Sequence, residues 1–310
     1  MPKLRVRIRC GVIKTAGQAF NPTEGNVYFI ASNVERMIHG SPAHSHLLVA
    51  VNEMKSEKDI ATVEGWINQG KKVLIDSGIY FLAMEHATRH GVSHDEGLNL
   101  APDQVDGFDN LLKRYLYIIN RFGDRAWGYI ELDQGGRENK KKTRSMLESK
   151  GLRPIPVYHP FGDGWDYFDE LAQNYDRMCF GNVVQASRFE RLRLVATAWE
   201  RHRKYPNLWI HLLGLTPNEW LYAMPINSGD SSAWLSSVRW SGYKPVGCGR
   251  SFGSLPRNFQ YKLGSDSFSE VGSRKATLMS AYGSNMAQQN WRNHLDALRS
   301  LGCELYPEVK

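Results

Sequence analysis

The residues best suited to chemistry are two aspartates, each of which comes after a short apolar run. Asp76 follows the run 73–75, and Asp230 follows the run 224–226 after three intervening residues. Serine or glycine comes next in both places. An aspartate that ends a buried strand and precedes small residues is placed to direct its carboxylate into a pocket. Two carboxylates in one pocket suit a division of labour between a general acid/base and a nucleophile.

The elements that must position these aspartates follow an alternating pattern. Short apolar runs typical of strands alternate with longer segments typical of helices. The predicted strands are residues 27–31, 47–51, 73–75, 127–132, 154–158, 178–181, 208–212 and 225–229. A further run at residues 5–12 predicts an additional strand or hairpin arm at the N-terminus.

Helix start signals support this alternation. Ser56 with Asp59 opens a helix, and Ser187 with Glu190 has the spacing of a capping box, in which each residue satisfies a backbone N–H of the other. Residues 216–219 form another box, with proline at the first helical position, where no N–H is missed.

Eight strands alternating with helices predict parallel β/α units, which at this chain length close naturally into an α/β (β/α)8 TIM barrel. An open doubly wound sheet is the alternative, but no GxGxxG follows the first strand, which weakens its dinucleotide-binding version. Residues 91–103 are expected to form a long loop. We assign residues 1–244 to the barrel and 245–310 to a C-terminal extension packed on it, in which residues 285–301 are expected to be helical.

Composition bounds the class of protein. The chain has 310 residues, of which 42% are apolar, and no apolar run is long enough to span a bilayer. The N-terminus lacks the apolar stretch of a signal peptide, so a cytoplasmic location is expected, that of the host if a phage encodes the chain. The four cysteines are far apart in sequence, so no metal and no cofactor are expected.

The formal net charge is +7, and the positive residues are grouped. Ordinary surface composition is one reading of this excess. Binding to a polyanion is the other, since Lys and Arg gain affinity by displacing counterions from phosphates. The grouping favours the second reading, and the expected phosphate contacts are Arg137, Lys140, Lys141, Lys142, Arg188 and Arg250.

Polar or glycine-rich residues end six consecutive predicted strands. In a barrel the carboxyl ends of the strands form one rim, where chemistry is concentrated. Asp76, Asp133 and Asp230 are the aspartates at this rim, and each could instead cap the helix that follows it. The rim also receives His159 from the fifth strand.

Three stretches of the sequence resemble motifs of the tRNA-guanine transglycosylases. The Asp-Ser-Gly of residues 76–78, after a Val-Leu-Ile strand, is similar to their DSGGFQ signature. Residues 211–219 resemble their strand and helix with a glycine before Thr-Pro. The Ser-Gly-Asp-Ser-Ser-Ala-Trp of residues 228–234 looks closer to the phage and bacterial branch that modifies DNA, the DpdA-like DNA guanine transglycosylases. The resemblance covers most of residues 25–240.

The resemblance implies a role for each aspartate. Asp230 matches the nucleophile that attacks the sugar C1′ and holds the nucleic acid covalently. Asp76 matches the acid that protonates the leaving guanine and later accepts a proton from the incoming base. Asp133 matches the aspartate that reads the purine edge. The implied base-binding set further contains Ser77, Gly78, His159, Gly181, Asn182 and Gly214.

The sequence departs from the tRNA enzymes at two places. Their zinc-binding CxCxxC…His motif is absent, which argues against tRNA as the substrate. Within the signature, Gly78 is followed by Ile79, Tyr80 and Phe81, and Tyr80 is expected either against the base or in the core. The expected partners are therefore DNA, double-stranded with a flipped base or single-stranded, and a 7-deazaguanine base such as 7-cyano-7-deazaguanine.

The leading hypothesis is a DNA guanine transglycosylase that works through a covalent aspartyl-deoxyribose intermediate. Three alternatives stay open. The same exchange could take place in tRNA, the barrel could bind nucleic acid without catalysis, or water could replace the incoming base in a hydrolytic N-glycosylase.

Two further groups of residues are expected to be structural or incidental. The first is a set of core or lid aromatics, comprising Trp165, Trp199, Trp209 and Trp220. The second group is His86, His90 and His94, which have the spacing of metal ligands on a helix. We interpret this spacing as chance, because the residues lie in a loop context without a suitable carboxylate cluster.

Overall fold

Eight parallel strands organise the protein. The computed structural model describes residues 14–22, 27–42, 44–215 and 226–235. Within these residues the strands are β1 (Val27–Ala31), β2 (His46–Ala50), β3 (Lys72–Asp76), β4 (Gly128–Tyr129), β5 (Val157–Tyr158), β6 (Arg177–Phe180), β7 (Trp209–Leu212) and β8 (Ser228–Ser231). All eight predicted strands are confirmed, with ends that differ by a few residues.

The sheet closes on itself. Its strand order is β4-β3-β2-β1-β8-β7-β6-β5, and every pairing is parallel. The two outer strands are then joined, because Glu131 N donates to Ile155 O at 3.0 Å and Ile155 N donates to Tyr129 O at 2.7 Å. The predicted TIM barrel is therefore confirmed, and the open doubly wound sheet is excluded.

Helices connect the strands on the outside of the barrel. They are α1 (Val34–Gly40), α2 (Glu57–Asn68), α3 (Ile79–His90), α4 (His94–Asn99), α5 (Phe108–Phe122), α6 (Gly136–Ser149), α7 (Trp165–Asn174) and α8 (Arg188–His202). The capping boxes that begin with Ser56 and Ser187 are both present.

The prediction of a long loop at residues 91–103 is wrong. This segment contains α4, whose start is fixed by a capping box between Ser93 and Glu96, and a short 3-10 turn at Pro102–Gln104. The box has the same Ser-x-x-Glu spacing that predicted the start of α8, so the signal for α4 was present in the sequence.

The interior of the barrel is filled by side chains and is not a channel. Phe29, Leu74, Trp127, Cys179 and Trp209 belong to one buried cluster contributed by residues from opposite sides of the barrel. A second layer packs between the strands and the helices. The prediction that the tryptophans belong to the core is confirmed for Trp165, Trp199 and Trp209, while Trp220 lies outside the described residues.

The segment 14–22 closes the end of the barrel that is opposite the strand carboxyl ends. Thr15 donates from its backbone N and its hydroxyl to Asp176, at 3.0 and 2.8 Å. The Phe20 ring meets Trp209 edge-on at 5.6 Å, and the Arg177 guanidinium lies over the Phe20 ring at 4.5 Å. This end of the barrel is therefore covered, and a site is expected at the other end, as is usual for this fold.

Several sequence predictions fall outside the described residues. They are the strand at 5–12, the helix start at 216–219 and the C-terminal extension 245–310 with its helix at 285–301. In the part of the chain that the structure describes, no helix is both long and apolar enough to cross a membrane.

Candidate active site

Asp76 reaches the rim because β3 ends at this residue and the chain turns immediately. Gly78 is in the left-handed conformation (φ 78°) and precedes the first turn of α3. A Cβ atom on Gly78 would lie 2.5 Å from Oδ1 of Asn52, so glycine is required both by the backbone and by the space. Asp76 therefore lies at the mouth of the barrel, half-buried, with its carboxylate close to a tightly packed turn.

The environment of Asp76 favours the protonated acid. Burial, followed by the negative charges of Asp133 and Asp230, raises the pKa of Asp76 to about 7. Hydrogen bonds from the backbone N–H groups of Gly78 and Ser77 oppose this shift but do not cancel it. The same three carboxylates, together with burial, raise the pKa of the Cys179 thiol, which lies inside the barrel. The three predicted aspartates therefore converge on one electrostatic cluster.

A single carboxylate oxygen of Asp230 meets two nitrogen atoms. Its Oδ1 accepts from Gly214 N at 2.8 Å and lies 3.2 Å from Nε2 of His211, and the residue is buried. Gly214 adopts a positive φ of 72°, which directs its N–H toward the carboxylate. The Oδ2 atom of Asp230 accepts no hydrogen bond from the described residues, so one carboxylate oxygen remains available for chemistry.

Asp133 is paired with His159. The Nε2 atom of His159 lies 2.8 Å from Oδ2 of Asp133, and both side chains are largely buried. A Cβ atom on Gly181 would lie 2.5 Å from Cδ2 of His159, so Gly181 makes room for this ring. Because one oxygen of Asp133 already meets His159, a bidentate contact of Asp133 with a guanine edge would require that pair to separate.

Two of the aspartates are not helix caps. The N-cap of α3 is Gly78 and that of α6 is Gly135, and neither helix start has a side-chain cap. The alternative in which Asp76 and Asp133 serve only to cap the following helices is therefore excluded.

The expected phosphate contact of Lys140 is wrong. This side chain is fully buried, forms an ion pair with Asp163 and donates to Val157 O at 3.1 Å. Asp163 also accepts from His159 N at 2.8 Å. Lys140 therefore stabilises the loop that carries His159, and its buried ammonium group cannot reach a phosphate.

The other predicted phosphate contacts divide into three groups. Arg137 is paired with Asp166 and Glu170, and Lys141 with Glu170, so both charges already have partners. Lys142 is exposed, and its contact with phosphate stays a prediction. The side chain of Arg188 and the whole of Arg250 are outside the described residues.

Of the remaining residues of the predicted base-binding set, Ser77 and Gly214 have structural functions in the described fold, and Asn182 lines a cleft. Ser77 is fully buried, and its hydroxyl is 3.5 Å from Ile79 N at the start of α3. The N–H of Gly214 is used by Asp230. Asn182 is half-buried, has a positive φ of 61° and lines the cleft beside His159. Asn182 is thus the member of this set that is best exposed to a ligand.

That cleft has a volume of about 720 Å³ and opens beside His159. Its wall is polar and carries more carboxylates than cations. The lining residues are Asp95, Asn99, Gly136, Arg137, His159, Phe161, Gly162, Asp163, Asn182, Gln185, Ala186 and Glu190. Because Asp163 is paired with Lys140, two carboxylates and one guanidinium remain, so the wall offers little attraction to a polyanionic backbone and suits an uncharged heterocycle rich in hydrogen-bonding groups.

Two residues at the site had not been singled out by sequence reasoning. Asn52 follows β2 beside the turn after Asp76, and its buried Oδ1 has no hydrogen-bond partner among the described residues. Such an acceptor could take an N–H group of a ligand. His211 lies on β7 in an apolar run, where the sequence pattern predicts an ordinary core histidine.

Tyr80 was expected either against the base or in the core. It is 45% exposed, which excludes its placement in the core.

The histidines of α3 form a separate polar cluster. In the described part of the chain, ligand atoms of His86, His90 and Asp106 lie within 4.8 Å of one another, and His94 does not take part. One carboxylate, that of Asp106, therefore lies beside two of the three histidines. However, Nδ1 of His86 accepts from the backbone N of Asp106 at 3.1 Å, so this nitrogen serves to fix the loop before α5.

Comparison with known proteins adds little about function. No model of a protein family matches the chain, and no curated protein matches it. A solved structure from Coccidioides immitis, assigned as a fructose-1,6-biphosphate aldolase, is 10% identical and has a TM-score of 0.42. That match covers 85% of this chain and 93% of the other. A similarity this distant carries no argument about activity, so the function must be argued from the site.

Proposed function

We propose that this protein is a glycosyltransferase that exchanges guanine in DNA for a 7-deazaguanine through a covalent aspartyl-deoxyribose intermediate. The observation that carries the proposal is the convergence of Asp76, Asp133 and Asp230 at one barrel mouth, with the pKa of Asp76 raised to about 7. An acid that is half protonated near neutral pH, beside a second carboxylate with a free oxygen, suits displacement at a sugar carbon. The choice of guanine and of DNA rests on the resemblance in sequence.

In the first half-reaction, Oδ2 of Asp230 attacks C1′ of the target nucleotide. The Oδ2–C1′ bond forms while the C1′–N9 bond breaks, and the bonding electrons leave with the purine. Asp76 gives its proton to the departing base, which leaves as neutral guanine, and becomes a carboxylate. Guanine is a poor leaving group without this proton, so the raised pKa of Asp76 serves the step directly.

In the second half-reaction the incoming base reverses these movements. The 7-deazaguanine gives its N9 proton to the Asp76 carboxylate, N9 attacks C1′, and the Oδ2–C1′ bond breaks to release Asp230. Each carboxylate returns to its starting protonation state.

Before either half-reaction can begin, the target base must leave its stack in the DNA, at a cost of a few kcal/mol.

Base recognition is assigned to Asp133 and Asn52, which follow strands on either side of the strand that carries Asp76. The free oxygen of Asp133 can accept from a purine N–H, and the unpaired Oδ1 of Asn52 can accept from another. The acidic wall of the cleft suits an uncharged free base better than a phosphodiester, so we assign the cleft to the entry and exit of bases.

The test is incubation of the protein with labelled 7-deazaguanine and either duplex DNA, single-stranded DNA or tRNA. Mass spectrometry of the recovered nucleosides is expected to show incorporation into DNA. Incorporation into tRNA alone would contradict the choice of polymer. Release of guanine without any added base would favour the hydrolytic alternative, and no reaction in any arm would favour a barrel that only binds nucleic acid.

A variant separates the covalent step from binding. Asp230→Asn is expected to abolish the covalent protein–DNA adduct, seen as a shifted band on denaturing gels, while affinity for DNA is retained. Asn182→Ala is the comparison, because it changes the cleft and leaves the carboxylates in place. An adduct that persists in Asp230→Asn would remove this residue from the nucleophile role.

A further inference from the structure

The nucleophile proposed above belongs to a buried hydrogen-bond chain that runs through two strands. Trp209 Nε1 donates to Ser228 Oγ at 2.7 Å, and Ser228 Oγ lies 2.8 Å from Nδ1 of His211. The other ring nitrogen of His211, Nε2, lies 3.2 Å from Oδ1 of Asp230. His211 is only 1% exposed, so water does not complete the chain.

Which group donates in each hydrogen bond of this chain follows from which side-chain atoms can donate and which can accept. An indole N–H can only donate, so Ser228 Oγ must accept from Trp209. The hydroxyl proton of Ser228 then has one acceptor within reach, which is Nδ1 of His211. With Nδ1 accepting, the neutral imidazole carries its proton on Nε2 and donates it to the Asp230 carboxylate.

The opposite tautomer would leave two groups unsatisfied. If Nδ1 carried the proton, the hydroxyl proton of Ser228 would have no acceptor among the described residues. The lone pair on Nε2 would also face the carboxylate of Asp230. Buried polar groups without partners are costly, so the arrangement with the proton on Nε2 is selected.

We infer that His211 is a positioning residue, which donates from Nε2 to Oδ1 of Asp230 in a tautomer fixed by Ser228 and Trp209, and so presents Oδ2 for attack. The inference rests on the proposed role of Asp230 as nucleophile. Together with Gly214 N, His211 occupies Oδ1 with two donors. These bonds orient the carboxylate plane, and the strand pairing of β7 with β8 holds both partners in register.

The first experiment does not depend on activity. Long-range ¹H–¹⁵N correlation spectra of the full-length protein labelled at histidine report which ring nitrogen carries the proton. The His211 signals are assigned by their disappearance in His211→Gln. The expected result is a neutral ring with the proton on Nε2, and a mixture of tautomers in Ser228→Ala. A proton on Nδ1 in the unaltered protein, or a doubly protonated ring, would overturn the inference.

The second experiment measures the single-turnover rate of adduct formation with DNA. His211→Leu removes the donor, and its rate at saturating DNA is expected to be about 10- to 100-fold lower, as for loss of a hydrogen bond to a charged group. His211→Gln keeps an N–H donor at a similar reach and is expected to recover most of the rate. Equal rates in the leucine variant and the unaltered protein would overturn the inference.

The two experiments distinguish the failure of the inference from that of the proposed function. If the unaltered protein forms no adduct but the His211 proton is on Nε2, the function fails and the arrangement around Asp230 stands. If adduct forms and the proton is on Nδ1, the function stands and the inference fails. Should His211→Leu not fold, as judged by circular dichroism, Ser228→Ala takes its place, with a smaller loss of rate expected.

Discussion

Asp76, Asp133 and Asp230 have the same side chain but different surroundings, and these differences set what each can do. Burial and the negative charges of the other two carboxylates disfavour ionisation of Asp76, so its proton is retained to about pH 7. Asp230 has two donors on one oxygen, and Asp133 faces a histidine.

The first prediction concerns the pH dependence of adduct formation. The step needs Asp76 protonated, so its single-turnover rate is expected to fall about tenfold per pH unit above pH 7. The return step needs the carboxylate, so its rate is expected to rise up to about pH 7 and then to level off. Rates measured by rapid quench from pH 6 to 9 test this, and a flat profile for adduct formation would remove Asp76 from the acid role.

The second prediction concerns stability. The fold raises the pKa of Asp76 from its ordinary value of 3.8 to about 7, so ionisation of Asp76 destabilises the folded state as pH rises between these values. Asp76→Asn does not ionise. Its free energy of unfolding relative to the unaltered protein is expected to increase by about 3 kcal/mol between pH 4 and pH 7, because Asp76 is only half ionised in the folded state at pH 7 and is already partly ionised in the unfolded state at pH 4. Urea titrations at both pH values measure the difference, and no change with pH would contradict the shift.

Residues were predictable where the signal was local. Asp76 could be recognised from its immediate neighbours, because it follows an apolar strand and is followed within two residues by a glycine. Asn52 and His211 carry no such signal, because the contacts of each are set by how neighbouring strands and turns pair in the fold. His211 acts through Ser228 and Trp209, and Asn52 through the turn at Gly78.

Helix α6 shows how a local cluster of charges can mislead. Adjacent lysines in sequence point in different directions on a helix, with successive residues about 100° apart. Lys140 consequently faces the barrel wall and is fully buried, whereas Lys142 faces solvent. The buried face of this helix could not be assigned from the sequence, because it holds Lys140 and Arg144 where a buried face usually holds apolar residues.

The third prediction follows from this burial. Lys140→Met leaves the Asp163 carboxylate buried without its partner and is expected to cost about 3–5 kcal/mol of stability. Lys142→Met, on the exposed face, is the matched control and is expected to change stability by less than about 0.5 kcal/mol. Thermal unfolding of both variants provides the measurement. Unchanged stability in Lys140→Met, with weaker DNA binding, would restore the phosphate-contact hypothesis.

The fourth prediction concerns the end of β6. Gly181→Ala places a methyl group against the His159 ring, and the overpacking is expected to cost about 1–3 kcal/mol and to push His159 away from Asp133. Gly65→Ala, in α2 with nothing near its Cβ position, is expected to gain about 0.5–1 kcal/mol.

The test pairs chemical denaturation with measurement of guanine binding in both variants. If Gly181→Ala binds guanine and unfolds like the unaltered protein, the ring does not depend on the glycine. The comparison with Gly65→Ala separates this steric effect from the general effect of replacing glycine with alanine.

At the scale of the whole molecule, alternation of strands and helices was sufficient to predict a closed barrel. The segment 14–22 that closes its lower end was not predicted, since its contacts are set by folding and not by neighbouring residues. Thr15 meets Asp176 across 161 positions of sequence, and Gly17 meets Asp124 across 107. Such pairings leave no periodic trace in the chain.

Cys179 lies on β6 inside the barrel, free, and with its pKa raised by burial and by the carboxylates above it. A protonated thiol in this position is shielded from alkylating reagents while the strands stay paired. It becomes reactive only when β6 separates from its neighbours. The rate at which iodoacetamide labels Cys179, followed by mass spectrometry of the peptide that contains it, would therefore report how often the barrel opens at β6.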